Sequence, residues 1–223
     1  MSKLVIVPTP IGNLGDMSYR AVEVLKSAGL IFAEDTRTSG RLLAHYDIKT
    51  QMRAYHKFNE HKAVASMVNE ILASDTIALI SDAGTPGISD PGFLLVRECV
   101  KAGIEVECLP GATALIPALV CSGLPNDRFI FEGFLPHKKG RVKRIEAVLD
   151  EERTLVYYES PHRIIKTLRQ LGDILGEERQ ACVARELSKL HEEILRGTLA
   201  ELAEHFEQHA PRGEIVLVVQ GAG

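Results

Sequence analysis

Thr76-Ile77-Ala78-Leu79-Ile80, followed by Ser81-Asp82-Ala83-Gly84-Thr85-Pro86-Gly87-Ile88-Ser89-Asp90-Pro91-Gly92, is the stretch that decides the fold. The apolar, partly β-branched run predicts a buried strand, and the segment after the loop, up to Ala102 and closed by Gly103, has helical periodicity. A further strand, Ile104–Leu109, starts at once. Strand, loop, helix, strand is the unit of an α/β sheet with parallel strands, and such sheets bind ligands beyond the carboxyl ends of their strands. The loop 82–92 is also longer than the roughly 2–6 residues such a connection needs. Its three glycines, two prolines and two aspartates suit a rigid backbone cradle for a polar ligand.

The same grammar extends both ways. A first strand, Leu4–Val7, enters the loop Pro8-Thr9-Pro10-Ile11-Gly12-Asn13-Leu14-Gly15-Asp16, and a helical face of Ala21, Val22, Leu25 and Ala28 stops at Gly29. A second strand, Leu30–Ala33, ends in Glu34-Asp35; two helical stretches follow, the longer capped by Asn59, with Val64, Met67, Val68, Ile71 and Leu72 on one face. Leu109-Pro110-Gly111-Ala112-Thr113-Ala114 is a third strand-to-glycine-turn exit, leading into a helix over about 113–122. Turn chemistry at Gly123-Leu124-Pro125-Asn126-Asp127 predicts a boundary, dividing the chain into 1–122 and 123–223. Beyond it, strands are expected at Phe129–Glu132, Thr154–Glu159, Ala181–Ala184, Glu192–Arg196 and Glu214–Val219, with helices near 141–150, 162–175 and 198–208. Two α/β domains result, the first with a largely parallel sheet. The second sheet should be mixed, because its strands near 181–196 follow one another without a helix.

At 223 residues, net charge −4, 45% hydrophobic and 25% charged, the chain is excluded from the disordered, collagen-like and polybasic-tail classes, while a local basic patch remains open. Cys99, Cys108, Cys121 and Cys182 lie in apolar surroundings without a C-x-x-C pair and read as reduced core thiols of a cytoplasmic protein. Leu4–Val7 is too short for a signal sequence, and prolines 110, 117 and 125 interrupt the longest uncharged run, so neither export nor a membrane span is expected. His205 and His209 stand one helical turn apart beside Glu204 but lack a third ligand, so no metal is expected. The loops contain neither G-x-G-x-x-G nor a P-loop, which argues against NAD and nucleoside triphosphates. Three glycine-rich loops on one sheet edge suit a zwitterionic, nucleoside-like ligand.

Val7-Pro8-Thr9-Pro10-Ile11-Gly12-Asn13-Leu14, Ala33-Glu34-Asp35-Thr36-Arg37, the loop Ser81–Gly92, Tyr158-Glu159-Ser160-Pro161-His162-Arg163 and Ala184-Arg185-Glu186-Leu187-Ser188-Lys189 together resemble the ribosomal RNA small-subunit methyltransferase I family of tetrapyrrole-methylase (class III) methyltransferases. The resemblance runs from about residue 4 to 220. It implies two α/β domains with S-adenosylmethionine in the cleft between them, a homodimer, and methylation of a cytidine ribose 2′-hydroxyl in the decoding region of small-subunit ribosomal RNA, free or in the assembled subunit. Carried over by motif, Ile11 belongs to the first cofactor loop, Ala83, Gly84, Thr85 and Ile88 to the second, Thr113 and Ala114 to the third, and Tyr158 and Ala184 approach from the second domain. Pro10, Gly12, Asp82 and Pro86 join them by adjacency. The chain departs from the family at Gln220-Gly221-Ala222-Gly223, where longer members continue into a small helical domain, a difference that bears on RNA affinity.

A ribose hydroxyl is a weak nucleophile, so a general base or a cation near the developing alkoxide is expected. Asp35 and Glu186, at strand ends, are the candidate bases, each with the alternative role of pairing with an arginine, and Lys189 is the candidate cation. For RNA, Lys138, Lys139, Arg141, Lys143 and Arg144 place five cations in seven residues; Arg37, Arg41 and Tyr55-His56-Lys57-Phe58 add basic and stacking groups. Two competing readings are a tetrapyrrole C-methyltransferase and a non-catalytic nucleotide-binding module. The first is disfavoured because those enzymes carry Gly-x-Gly-Pro-Gly and Gly-Gly-Asp-Pro loops where this chain has Pro-Thr-Pro-Ile-Gly-Asn and Ala83-Gly84-Thr85-Pro86.

Overall fold

The computed structural model describes residues 2–55 and 60–223; the side chains of residues 60–62, and the predicted cap Asn59 with His56, Lys57 and Phe58, lie outside the described residues. The chain forms two compact units, Met1–Thr113 and Ala114–Gly223.

In the first unit, β1 (Lys3–Ile6), β2 (Leu30–Ala33), β3 (Met52–Ala54), β4 (Thr76–Ile80) and β5 (Glu105–Cys108) form one sheet in the order β3-β2-β4-β1-β5. Every pairing is parallel. The helices are α1 (Tyr19–Ser27), α2 (Thr36–His45), α3 (Glu60–Leu72) and α4 (Phe93–Lys101). The two-residue period of the strands sorts their side chains between two cores. Leu4, Ile6, Ile77 and Leu79 pack with Met67, Ile71, Leu95 and Cys99 from α3 and α4. Val5, Val7, Ile31, Ala33, Ala78 and Ile80 pack with Ala21, Leu25 and Leu43 from α1 and α2. The short strand β3 was not expected, since an edge strand of three residues containing Arg53 shows no apolar pattern.

The second unit opens with α5 (Leu115–Ser122) and holds β6 (Phe129–Phe134), α6 (Arg141–Glu146), β7 (Thr154–Glu159), α7 (Ile164–Leu175), β8 (Gln180–Arg185), β9 (Glu193–Thr198), α8 (Leu199–Gln208) and β10 (Ile215–Val219). Its sheet order is β6-β7-β10-β8-β9, with β6–β7 parallel and the other pairings antiparallel. One face carries Leu155, Tyr157, Val183 and Leu217 against Ile145, Leu168, Leu199 and Phe206 of α6, α7 and α8. Val156, Cys182 and Val216, equally buried, point to the opposite face, and α5 packs on this sheet.

That packing moves the expected boundary from 122/123 to 113/114. The turn at 123–127 is real, but α5 buries Leu115, Ala118 and Leu119 with the second unit. The helix expected at 141–150 stops at Glu146. Among the described residues the four thiols are unpaired; Cys99 and Cys182 are core groups, whereas Cys108 is exposed on the edge strand β5, correcting its placement in the core. No helix among them is long and apolar enough to cross a membrane.

Candidate active site

In the first unit, the loops leaving β1, β4 and β5 are bonded to one another. Thr9 N–H donates to the Gly84 carbonyl and Gly84 N–H to the Thr9 carbonyl, both at 2.9 Å, and the Thr9 hydroxyl donates to Ser81 O at 3.1 Å. The Thr85 hydroxyl donates to Ala112 O at 2.9 Å, tying the second loop to the third. Gly84 has φ +80°, and a Cβ there would meet Ile11 Cγ2 at 3.5 Å and Ala112 O at 3.8 Å. Gly111 is tighter still, since a Cβ would stand 2.5 Å from Pro8 Cβ. At Gly111 the missing Cβ lets the third loop close on the first, and at Gly84 the left-handed φ is what calls for glycine; the three loops form a cradle edged by Ile11, Ala83, Gly84, Thr85 and Ala112. Pro10, Gly12, Pro86, Ile88 and Thr113 lie on the same loops. Thr9, Ser81 and Ala112 stand inside the motifs the sequence offers but are not singled out there as site residues, because the bonds that make them tethers join residues far apart in the chain.

Beside this cradle, at the ends of β2 and β4, three carboxylates meet. Asp82 Oδ1 accepts the Asp35 N–H at 3.1 Å, and Asp82 N–H donates to Glu34 Oε2 at 3.4 Å. Partial burial and the neighbouring Asp35 raise the Asp82 pKa. Asp35 goes the other way: hydrogen bonds from the Arg37 guanidinium and from the Arg37 backbone N–H, the latter at 2.8 Å, bring it down to about 2. Asp35 thereby caps α2 and holds Arg37, the alternative role foreseen for it. A carboxylate depressed in the folded state contributes stability that is complete above its unfolded pKa and fades as pH falls through the folded one. The Asp35 contribution should therefore be full above about pH 4 and decline toward pH 2. A carbon-detected titration of Arg37→Ala should show the Asp35 carboxyl moving back up toward its ordinary value.

In the second unit, Tyr158 of β7 and Ala184 of β8 both pair with Val216 of β10, so the three form one row on one face of the sheet. Ala184 is buried, and the Tyr158 ring stands edge-on to Phe131 and Phe134 at 5.0 and 5.7 Å. Ala114, the first residue of this unit, is the N-cap of α5. The turn after β8 is strained: Glu186 and Ser188 have φ +50° and +67°. Glu186 Oε1 accepts from Lys189 Nζ at 2.8 Å and from Glu214 N–H at 2.9 Å, and Lys189 also donates to Glu214 Oε2 at 3.0 Å. The pKa of Glu186 is lowered chiefly by Lys189, and that of Lys189 is raised by the two carboxylates against the effect of burial. Glu186 pairs with this lysine rather than with an arginine.

The basic groups separate into two kinds. Lys138, Lys139, Lys143 and Arg41 are exposed; Arg37, on the same face of α2, is exposed too but holds Asp35 through two guanidinium nitrogens. Arg144 is exposed but donates to Glu132 Oε2 at 2.5 Å. Arg141 is only 4% exposed and is removed from the RNA-contact set, because its guanidinium is consumed by Glu159, Thr167, Gln170 and the Pro136 carbonyl. Tyr55 leaves it too: at 1% exposure its ring belongs to the core under α3.

Comparison with known proteins places this arrangement. Residues 3–203 match the family of tetrapyrrole (corrin/porphyrin) methylases. The chain is 52% identical over 223 residues to a ribosomal RNA small subunit methyltransferase I of Synechocystis sp., covering 100% of this chain and 80% of that protein. It is 44% identical over 221 residues to the protein of the same name from Thermotoga maritima, covering 99% of each. Among solved structures, diphthine synthase superposes with a TM-score of 0.76 at 14% identity, covering 99% of this chain and 90% of that one. The uroporphyrin-III C-methyl transferase of Thermus thermophilus complexed with S-adenyl homocysteine superposes with a TM-score of 0.69 at 19% identity, covering 99% and 97%. Matched by the family over residues 3–203 and by relatives 44–52% identical along essentially its whole length, the chain belongs to the tetrapyrrole methylases and, within them, to the ribosomal RNA small subunit methyltransferase I family.

Proposed function

We propose that the protein transfers a methyl group from S-adenosylmethionine to a cytidine ribose 2′-hydroxyl in the decoding region of small-subunit ribosomal RNA. The observation that carries this reading is the extent of the similarity: relatives named for that RNA are 44–52% identical across essentially the whole chain. The cradle fits the cofactor. Gly111, without a Cβ, lets the third loop close on Pro8 of the first, Gly84 supplies the left-handed backbone of the second, the cradle's edges offer N–H and carbonyl groups, and Ile11 adds an apolar wall. Ile11, Ala83, Gly84, Thr85, Ala112 and Thr113 would hold S-adenosylmethionine, which supplies, when bound, a methyl group already activated as a sulfonium.

The chain's own part is to position the acceptor and to stabilise its developing negative charge. Lys189 is the cation suited to this, since its raised pKa keeps it protonated and an ammonium has one donor beyond those given to Glu186 and Glu214. Glu186 aims that ammonium. Neither Asp35 nor Glu186 is matched to proton abstraction at neutral pH, because both pKa values are depressed. Lys138, Lys139, Lys143, Arg41 and Arg37 contact phosphates in this proposal, which also takes the protein to be a cytoplasmic homodimer.

Incubation with isotopically labelled S-adenosylmethionine and small ribosomal subunits should label the RNA at a position that then resists alkaline cleavage, as a blocked 2′-hydroxyl must. Label in a porphyrinogen, or none in RNA, overturns the proposal. Lys189→Ala should lower single-turnover methylation by about 10²–10³-fold and Glu186→Gln by less, with S-adenosylhomocysteine affinity unchanged. Unaltered rates in both remove the role given to this pair.

A further inference from the structure

The segment between β6 and α6 carries the exposed Lys138 and Lys139, yet two buried or half-buried arginines determine its backbone. Arg141 NH1 donates to Pro136 O at 3.2 Å, and the Arg141 backbone N–H closes a turn onto Lys138 O at 3.3 Å. Its other guanidinium nitrogens reach Gln170 Oε1 at 2.7 Å and Thr167 Oγ1 at 2.5 Å on α7. Arg163, at the start of α7, donates from NH1 to Leu135 O at 3.2 Å. Both guanidinia converge on one carboxylate: Glu159 Oε1 is 2.6 Å from Arg163 NH2, and Glu159 Oε2 is 3.6 Å from Arg141 NH2. Thr167 completes the link by donating to Glu159 Oε2 at 2.6 Å. Adjacent carbonyls at the exit of β6, those of Leu135 and Pro136, are thus held by a pair of arginines anchored to the end of β7.

We infer that Arg141 is a positioning residue for RNA docking: with Arg163 and Glu159 it clamps the β6–α6 loop so that Lys138 and Lys139 meet the phosphate backbone already ordered. The inference rests on the reading of that loop as an RNA contact. Holding a loop in its bound geometry removes the entropy of ordering it on binding, so the gain appears in affinity although Arg141 touches no phosphate. Lysine cannot substitute, because one ammonium does not span Pro136 O, Thr167, Gln170 and Glu159 at once, as the planar fork does.

The test uses the full chain and isolated small ribosomal subunits, with binding measured against salt concentration. Lys138→Ala/Lys139→Ala should lower the salt slope by about 1–2, because each phosphate contact releases a counterion. Arg141→Lys should weaken subunit binding about ten-fold and speed amide exchange at residue 141, whose N–H closes the turn onto Lys138 O, at least ten-fold, with S-adenosylhomocysteine affinity held within two-fold. In the Lys138→Ala/Lys139→Ala background, Arg141→Lys should then change subunit binding less than two-fold. A general loss of structure would instead weaken binding equally in both backgrounds, and that result overturns the inference. So does an Arg141→Lys protein whose loop exchange and subunit affinity match the parent while the lysine variant still loses slope. A lysine variant with an unchanged slope removes the RNA contact itself, and the clamp's role with it. Should Arg141→Lys fail to fold, Gln170→Ala, which removes one partner of the guanidinium, carries the same expectation at smaller amplitude.

Discussion

Glu159→Ala should destabilise the second unit by about 3–5 kcal/mol, the expected loss when one partner of a buried ion pair is removed and the other stays buried. The Glu159 side chain is 1% exposed and Arg141 4%, so water cannot replace the lost carboxylate. Two guanidinia would then share no anion, and Thr167 and the Ser160 N–H would lose the acceptors they have at 2.6 and 2.8 Å. A chain of this size should show a melting point lower by on the order of 10 °C. Arg163→Met should be milder, because Arg163 is partly exposed and Glu159 keeps Arg141, Thr167 and Ser160. Thermal and urea denaturation of the two variants measure the difference; equal melting points would show that the cluster is not electrostatically coupled.

Gly111→Ala should lower S-adenosylhomocysteine affinity at least ten-fold and methyl transfer by about 10²-fold, the penalty associated with roughly 1 Å of misplacement. The new Cβ would lie 2.5 Å from Pro8 Cβ and 2.8 Å from Pro8 Cγ. A proline ring cannot rotate away, and Pro8 leads directly into Thr9, whose two backbone bonds hold Gly84. Relief of the clash is therefore transmitted from the third loop through the first to the second. Overpacking of this kind also destabilises by about 1–3 kcal/mol. Gly103→Ala is the control: its φ of +71° brings strain of its own, but nothing lies within 4 Å of the added Cβ. Titration calorimetry should find its S-adenosylhomocysteine affinity unchanged, and equal losses in both variants would mean that the effect is one of stability alone.

The loops that form the cradle were legible because their composition is extreme for their position: glycine and proline after an apolar strand have few structural readings. Strand Thr76–Ile80 and strand Leu30–Ala33 were legible to the residue for a related reason, since parallel strands buried on both faces are continuous apolar runs. Charge was read less well. Arg141 stands in a run of cations and looks like its neighbours, yet Val142, Lys143 and Arg144 are exposed and it alone is turned inward, toward Glu159, Thr167 and Gln170. Helical phase places it there, and the partners that make burial tolerable come from another strand and another helix. The same holds for α5: its apolar residues announced a buried helix without saying which sheet would bury it.

What the sequence determined by itself was the order of strands and helices apart from the short edge strand β3, the glycine-rich loops that follow the strands, and the family these motifs belong to, because each is written in local pattern and composition. Which carboxylates are engaged, which cations are free to meet a polyanion, and to which unit α5 belongs were decided only by tertiary structure. Ion pairing and burial depend on side chains brought together across tens of residues of intervening chain, as Glu186 is with Glu214 and Arg141 with Thr167.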